Sequence, residues 1–160
     1  MASGYQANAS GSYGLASGYQ SQATAYYTTA VGYQSKATSS SASAFGNGAN
    51  ASNYYALALG YNSAAAGNSA VAIGNAANVA STAANSVAIG KSASAASSNS
   101  VALGQNSLAD TTGVATTGYL TDEAFSASNG VVSVGNSTYT DASGKNGLLK
   151  TVVVLPTLQP

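Results

Sequence analysis

The chain contains no cysteine and no histidine, and only four acidic and four basic residues among its 160 residues. The lack of cysteine excludes a disulfide framework and any thiolate metal site. The lack of histidine removes the usual general base, the Ser-His and Cys-His nucleophile pairs and most transition-metal sites. A net charge of zero gives no long-range attraction to nucleic acid or to an anionic membrane. We therefore expect no enzymatic activity, no metal, no cofactor and no nucleic-acid partner.

Long apolar runs and calcium-type acidic motifs are missing as well. No stretch of 18 apolar residues occurs, so the sequence predicts no transmembrane helix. The four carboxylates, Asp110, Asp122, Glu123 and Asp141, do not have the spacing of a calcium-binding loop. The neighbouring Asp122 and Glu123 are expected in a solvated turn or a helix cap after Thr121 rather than in a catalytic pair.

What the chain does contain is a glycine repeated at a fixed interval. The spacing is 14 residues, with one step of 16 residues, and the positions are Gly4, Gly18, Gly32, Gly46, Gly60, Gly74, Gly90, Gly104 and Gly118. Alanine lies two residues before eight of these glycines, and Thr116 takes that place before the ninth. A fixed period of this kind predicts a solenoid, in which each coil stacks on the previous one.

We assign residues 1–120 to this repeat. The two extra residues of the long step are expected in an enlarged turn at Ala80–Ala84. Because residues 1–5 already follow the register of the repeat, we expect the chain to be a piece of a larger array, without a signal peptide.

Alternation along each coil predicts two strands of about five residues, joined by two tight turns. Around Gly90, for example, Ser86 and Ala88 point to one side while Val87 and Ile89 point to the other. The second strand would carry alanine or serine three residues after the glycine, and mostly alanine five residues after it. Sheets lined with large side chains pack about 10 Å apart, and so short a coil has less room. The alanine side is therefore predicted to face inward.

The branched aliphatic residues would then form a ladder on the outside. Its members are Leu57, Leu59, Val71, Ile73, Val87, Ile89, Val101 and Leu103. Burial of each is worth roughly 1.5–3 kcal/mol, and soluble proteins do not leave a continuous apolar ladder in water. We therefore expect further copies of the chain to cover the ladder in a closed cyclic oligomer. The alternative is a wider single-chain β-helix with valine and isoleucine inside and alanine outside.

The consensus Asn-Ser-Val-Ala-Ile/Leu-Gly, clearest at Asn85–Ala95 and Asn99–Ala109, resembles the head repeats of trimeric autotransporter adhesins, the YadA-like group. The resemblance covers roughly residues 2–118. It implies a left-handed parallel β-roll with three chains around one axis. With the 14-residue period and the outward aliphatic ladder, we therefore expect an all-β homotrimer whose interface is that ladder. The resemblance also implies display on the bacterial cell surface by a stalk and an outer-membrane anchor. Because no heptads follow, we expect stalk and anchor to be absent from this chain.

Residues 121–160 are predicted to form a neck-like or β-rich capping segment. Gly130–Asn136 is similar to the start of the family's neck, but the expected continuation is replaced by Ser137–Pro160. Two apolar runs, Val131–Val134 and Leu148–Leu155, flank a turn-rich stretch. This pattern predicts a hairpin or two strands of a small β-rich cap.

Tyrosines are the candidate ligand-binding residues, because their rings offer a large contact area at a low entropy cost. One set directly follows the repeated glycine and would stack into a stripe at about 4.8 Å per coil: Tyr5, Tyr19, Tyr33, Tyr61 and Tyr119. A second set, predicted to be the more exposed, lies in the opposite turn: Tyr26, Tyr27, Tyr54 and Tyr55. We take Tyr33, Tyr61 and the second set as binding candidates. In the alternative, tyrosines only stabilise turns and fill grooves between chains.

Two functions fit this sequence. The first is the head of a bacterial surface adhesin that binds matrix proteins such as collagen, fibronectin or laminin, cells or other surfaces through many weak contacts. The second is a non-binding spacer of an adhesin shaft or a phage tail fibre, because Gly-Tyr-Gln at Gly4, Gly18 and Gly32 also resembles tail-fibre repeats. A compact cap with pockets after Thr121 would favour the spacer.

Overall fold

The computed structural model describes residues 1–111, 130–135 and 150–151. Together these residues form an all-β parallel solenoid of about eight coils. The predicted fold class, with coils of about 14 residues, is confirmed. Within the described ranges no helix is long and apolar enough to cross a membrane.

Successive coils build two sheets. The first sheet has ten strands in the described residues: β1 (Ala2–Ser3), β2 (Leu15–Ser17), β4 (Thr29–Val31), β6 (Ser43–Phe45), β8 (Leu57–Leu59), β10 (Val71–Ile73), β12 (Val87–Ile89), β14 (Val101–Leu103), β16 (Val132–Val134) and β17 (Lys150–Thr151). The second has seven: β3 (Gln22–Ala23), β5 (Lys36–Ala37), β7 (Asn50–Ala51), β9 (Ala64–Ala65), β11 (Asn78–Val79), β13 (Ser94–Ala95) and β15 (Leu108–Ala109). Equivalent residues of neighbouring coils pair in parallel and in register, as Val71 does with Val87.

The strands are shorter than predicted, with three residues in the internal strands of the first sheet and two in those of the second, where five were expected. The cause is a pair of residues in each coil with a left-handed backbone. One lies two positions after the repeated glycine, such as Gln20 at φ 54°, and the other five positions before it, such as Ser41 at φ 60°. A left-handed residue cannot continue a strand. The two turns therefore occupy more of each coil than the alternation of side chains indicates.

Small side chains from both sheets fill the interior. From the second coil onward, the alanine two positions before the glycine is fully buried, as are the residues three and five positions after it. In the described part of the chain, Val79 and Val131 are the only buried hydrophobic residues larger than alanine. The inward-facing alanine side is thus confirmed. The alternative, a wider β-helix with the valine and isoleucine ladder inside, is wrong, since the ladder side chains lie on the outer face.

Hydroxyl groups inside the roll donate to backbone carbonyls. Ser35 Oγ donates to Gly32 O at 3.0 Å, and Thr28 Oγ1 donates to Ala25 O at 2.8 Å. Among the described residues, every buried side-chain nitrogen and oxygen has a hydrogen-bond partner. Serine and threonine can therefore replace alanine inside without leaving an unsatisfied polar group.

The 16-residue step enlarges one turn, as predicted. Ala83 N donates to Ala80 O at 2.9 Å and closes an additional turn over Ser81 and Thr82. Both of these residues are exposed, whereas Ala83 returns to the buried interior. The insertion is therefore accommodated at the rim, and the strands on either side keep their register.

The strand beside β14 differs from the one that the glycine spacing indicates. The spacing would place Thr116 beside Ala102, but Ser133 of β16 occupies that position. Ser133 is buried, and its carbonyl accepts a hydrogen bond from Ser107 Oγ at 2.8 Å. Thr116 and Gly118 themselves lie outside the described residues.

The two C-terminal apolar runs each contribute a strand, as predicted. β17 pairs antiparallel with β16, with Thr151 opposite Val132 and Lys150 opposite Ser133. Tyr119, the acidic pair Asp122 and Glu123, Asp141 and most of the predicted cap lie outside the described residues. The domain division at residue 120 stays a prediction.

Candidate functional site

The aliphatic ladder lies on the outer face of the first sheet as two continuous rows. One row joins Leu57, Val71, Val87 and Val101, and the other joins Leu59, Ile73, Ile89 and Leu103. β16 extends both rows with Val132 and Val134. The side chains are half-buried or exposed, and Leu59 and Leu103 retain 43% and 44% of their accessible surface. The rows are therefore a continuous apolar face, and their role as a trimer interface stays a prediction.

Three tyrosines stack along the turn that follows the repeated glycine. The ring centroids of Tyr5 and Tyr19 are 5.4 Å apart, and those of Tyr19 and Tyr33 are 5.2 Å apart. The ring planes of both pairs are nearly parallel, at 16° and 6°. The predicted stripe is confirmed over these three coils. It stops at Tyr33 because Asn47 takes this position in the next coil, which separates Tyr61 from the stack.

A second aromatic cluster lies in the opposite turn. Tyr13 stacks on Tyr27 at 4.9 Å, and Tyr26 meets Tyr27 edge-on at 4.3 Å. The hydrogen bond with Tyr27, then partial burial and Tyr13, raise the pKa of Tyr26 above its ordinary value. Tyr13 was not a candidate from the sequence, although its position exactly one 14-residue step before Tyr27 is a usable signal.

Tyrosines of both turns are similarly accessible to solvent. Those after the glycine expose 41–66% of their surface, and the predicted binding residues Tyr26, Tyr27, Tyr54 and Tyr55 expose 47–67%. The second set is only marginally more exposed than the first, so exposure does not distinguish the two sets. Both turns lie at the edges of a thin roll, so neither is shielded by the other. Ser40 and Ser41 separate the Tyr54–Tyr55 pair from the Tyr26–Tyr27 pair.

A row of glutamine amides, which the sequence analysis missed, runs beside the tyrosine stack. Gln34 Nε2 donates to Gln20 Oε1 at 2.9 Å, and Gln20 Nε2 donates to Gln6 Oε1 at 2.7 Å. This row lines an open groove of about 330 Å³ together with Gln22 and Lys36. The signal was the triplet Gly-Tyr-Gln repeated at the coil period, because one residue type in one phase forms a row.

The side chains on these surfaces are suited to non-covalent contacts. Across residues 1–111, 130–135 and 150–151, no group of three or more His, Cys, Asp or Glu side chains is placed to hold a metal ion. The exposed groups of these surfaces are phenols, amides, aliphatic chains and the ammonium of Lys36. They can stack, donate and accept hydrogen bonds and bury apolar area.

Comparison with known proteins shows a matching family and similarity to a solved structure. The family model described as "YadA head domain repeat (2 copies)" matches residues 1–21, 9–35, 23–49, 51–77 and 81–107, which together make up more than half of the chain. The chain is similar to the crystal structure of the collagen-binding domain of Yersinia adhesin YadA, with 28% identity and a TM-score of 0.48. That alignment covers 78% of this chain and 86% of the other. No curated protein matches the chain.

Proposed function

Since this chain belongs to the family of YadA head domain repeats, we propose that it is a bacterial surface adhesin head that binds host extracellular matrix through exposed tyrosines on its turns. In this proposal the head is extracellular and acts as a homotrimer. Its candidate ligands are fibrous matrix proteins, with collagen, fibronectin and laminin as the first to test.

The observation that carries the binding proposal is the accessibility and order of the tyrosines. Tyr13, Tyr26 and Tyr27 form one cluster through stacked and edge-on contacts, yet each exposes 47–73% of its surface. Ring packing fixes the rotamers before a ligand arrives, so less conformational entropy is lost on binding. The exposed ring edges can contact an extended partner, and a hydroxyl group that bonds a neighbouring tyrosine can still form a further hydrogen bond.

The two aliphatic rows support the homotrimer. The rows cross five strands with leucine, isoleucine and valine in register. Removing this apolar surface from water favours its contact with other copies of the chain. Three copies would present three tyrosine surfaces to one fibre, and the effective concentration of linked sites raises the avidity above that of one site.

The trimer is tested by sedimentation of the purified chain and of the double variant Val87→Ser, Ile89→Ser. Wild type should sediment as three copies, and the variant should dissociate because both rows lose apolar area in one coil. Leu108→Ser is the matched control, because Leu108 is a half-buried aliphatic residue of the second sheet, outside the rows. A monomeric wild type at micromolar concentration would overturn the trimer.

Matrix binding is tested with Tyr26→Ser, Tyr27→Ser, Tyr54→Ser and Tyr55→Ser combined. Serine already occupies the equivalent positions at Ser40 and Ser41, and Ser41 has the left-handed φ that the position requires. The backbone should therefore tolerate the change. We expect wild type to bind at least one of the three immobilised matrix proteins. The variant should lose most of that binding while it keeps the circular dichroism spectrum of the folded roll, because only ring contacts at the turn are removed.

The matched control is Lys91→Ser combined with Gln105→Ser, which changes exposed turn residues on coils without aromatic stacks. It should bind as wild type does. Equal binding by the tyrosine variant and wild type would reject the tyrosines as the contact surface. If wild type binds none of the matrix proteins, the spacer function becomes the better account of the roll.

A further inference from the structure

The groove beside the tyrosine stack has a defined set of hydrogen-bonding groups. The amides of Gln6, Gln20 and Gln34 are linked head to tail: Gln34 uses one N–H, Gln6 uses one carbonyl lone pair, and Gln20 uses one of each. An amide has two N–H groups and two acceptor lone pairs. Every glutamine of the row therefore keeps both donor and acceptor capacity toward the groove.

Lys36 places a single positive charge in this groove. It neighbours Gln22 in the parallel register of β3 and β5, and its side chain is exposed. The four carboxylates of the chain begin at Asp110, so residues 1–109 contain Lys36 and Lys91 and no acidic side chain. No salt bridge of Lys36 occurs within the described residues, and its charge is available to a ligand.

The lining selects a class of ligand. Side chains with both donors and acceptors complement hydroxyl groups, which also donate and accept. The ammonium of Lys36 complements a carboxylate. The row repeats at about 4.8 Å per coil, which is comparable with the length of one sugar ring. We propose that the groove lined by Gln6, Gln20, Gln22, Gln34 and Lys36 binds a carboxylated sugar, with hydroxyls on the amides and the carboxylate on Lys36.

Other ligand classes fit the groove less well. All five lining side chains are polar or charged, so an apolar peptide would gain little from burial there. One lysine cannot replace the several phosphate contacts that non-specific nucleic-acid binding uses. The inference goes beyond matrix attachment, because it concerns another surface and another ligand class, and it does not depend on the tyrosine proposal.

The experiment is an NMR titration of the full chain with sialyllactose and, as the matched neutral ligand, lactose. Sialyllactose should give saturable shifts in the groove, and lactose should bind more weakly. Lys36→Gln should weaken sialyllactose binding by a factor of about 1.4 to 5, the range for an exposed charge pair, and leave lactose binding unchanged. Lys91→Gln, with the same loss of charge outside the groove, should bind both ligands as wild type does.

A second variant tests the amide row separately from the charge. Gln20→Asn should weaken both ligands, because the shorter side chain cannot bridge Gln6 and Gln34. Asparagine is compatible with the backbone, since Asn62 and Asn106 hold the same position in other coils at φ 50° and 54°. A hyaluronan tetrasaccharide, which carries uronic acid in place of sialic acid, distinguishes the two sources of the carboxylate.

The proposal is supported if either acidic sugar binds wild type and binds Lys36→Gln more weakly by the expected factor. The acidic sugar that binds more tightly then identifies the source of the carboxylate. The proposal is overturned if neither acidic sugar gives saturable shifts, if lactose binds as tightly as sialyllactose, or if Lys91→Gln and Lys36→Gln behave alike.

Discussion

Replacing Gly32 by alanine tests whether neighbouring coils are held at one fixed separation. Gly32 has a φ of +129°, and an added Cβ would lie 2.5 Å from Gly46 O in the next coil. The two coils would have to move apart, because the obstacle is backbone rather than a flexible side chain. The unfavourable φ costs about 1–3 kcal/mol, and the overpacking adds about 1–3 kcal/mol.

Gly104→Ala is the matched control, because it separates the cost of the unfavourable φ from the cost of the close contact between coils. Gly104 also has a positive φ, +108°, but the atom nearest to an added Cβ is Gly135 N at 3.4 Å. Only the φ term of about 1–3 kcal/mol should then apply. Both variants are compared with wild type by denaturant unfolding, followed by circular dichroism at equal protein concentration.

The expected order of stability is wild type, then Gly104→Ala, then Gly32→Ala, with the last two about 1–3 kcal/mol apart. Equal unfolding midpoints for the two variants would refute the reasoning, because the coil contact at Gly32 would then cost nothing beyond its backbone conformation. If Gly32→Ala unfolds at the same denaturant concentration as wild type, both the cost of the unfavourable φ and the cost of overpacking are refuted.

Two further predictions concern the core and the tyrosine cluster. Val79→Ala removes two methyl groups, worth about 0.8 kcal/mol each, from a fully buried side chain. Denaturant unfolding should show that the free energy of unfolding falls by about 2 kcal/mol. An unchanged unfolding midpoint would contradict this prediction. The pKa of Tyr26 is raised, first of all by the hydrogen bond with Tyr27, because this contact stabilises the neutral phenol. The stabilisation is therefore complete below the ordinary pKa of 10.0. It is lost as the pH rises through the pKa of Tyr26 in the folded protein. Ultraviolet titration of Tyr26→Phe should lack a late-ionising tyrosine, whereas curves identical to wild type would reject the shift.

The sequence was sufficient for the period, the phase and the direction of the side chains. Alanine two residues before glycine, in eight coils, defines one face, and the short coil leaves no space for larger groups there. The burial of Ala44 and Ala72 follows directly. The enlarged turn at Ala80–Ala84 was also predictable, because the two extra residues had to leave the strands in register on either side.

Strand length and turn conformation were not predictable by the same argument. Left-handed backbone at Gln20, Tyr27 or Ala76 is set by the closure of the coil, since none of these residue types favours it on its own. The pairing of Ser133 with Ala102 was not predictable from the glycine spacing either. Ser133 belongs to a strand that lies outside the 14-residue spacing, so the repeat alone does not indicate it.

The candidate surfaces were predicted unevenly. The tyrosine stripe followed from one residue type at one phase, and the same reasoning applied to glutamine would have given the amide row. The groove also needed Lys36 and Gln22, which belong to the second sheet. Only the fold shows that these strands lie beside the glutamine turn.

Pairing in register also governs how the roll can change in height. Each internal coil hydrogen-bonds to the coil before it and the coil after it, and equivalent residues meet at every step. Removing or copying one whole coil would join two surfaces with the same bonding pattern. Recombination within the gene could therefore lengthen or shorten the protein in increments of about 4.8 Å, with no new fold required at the junction.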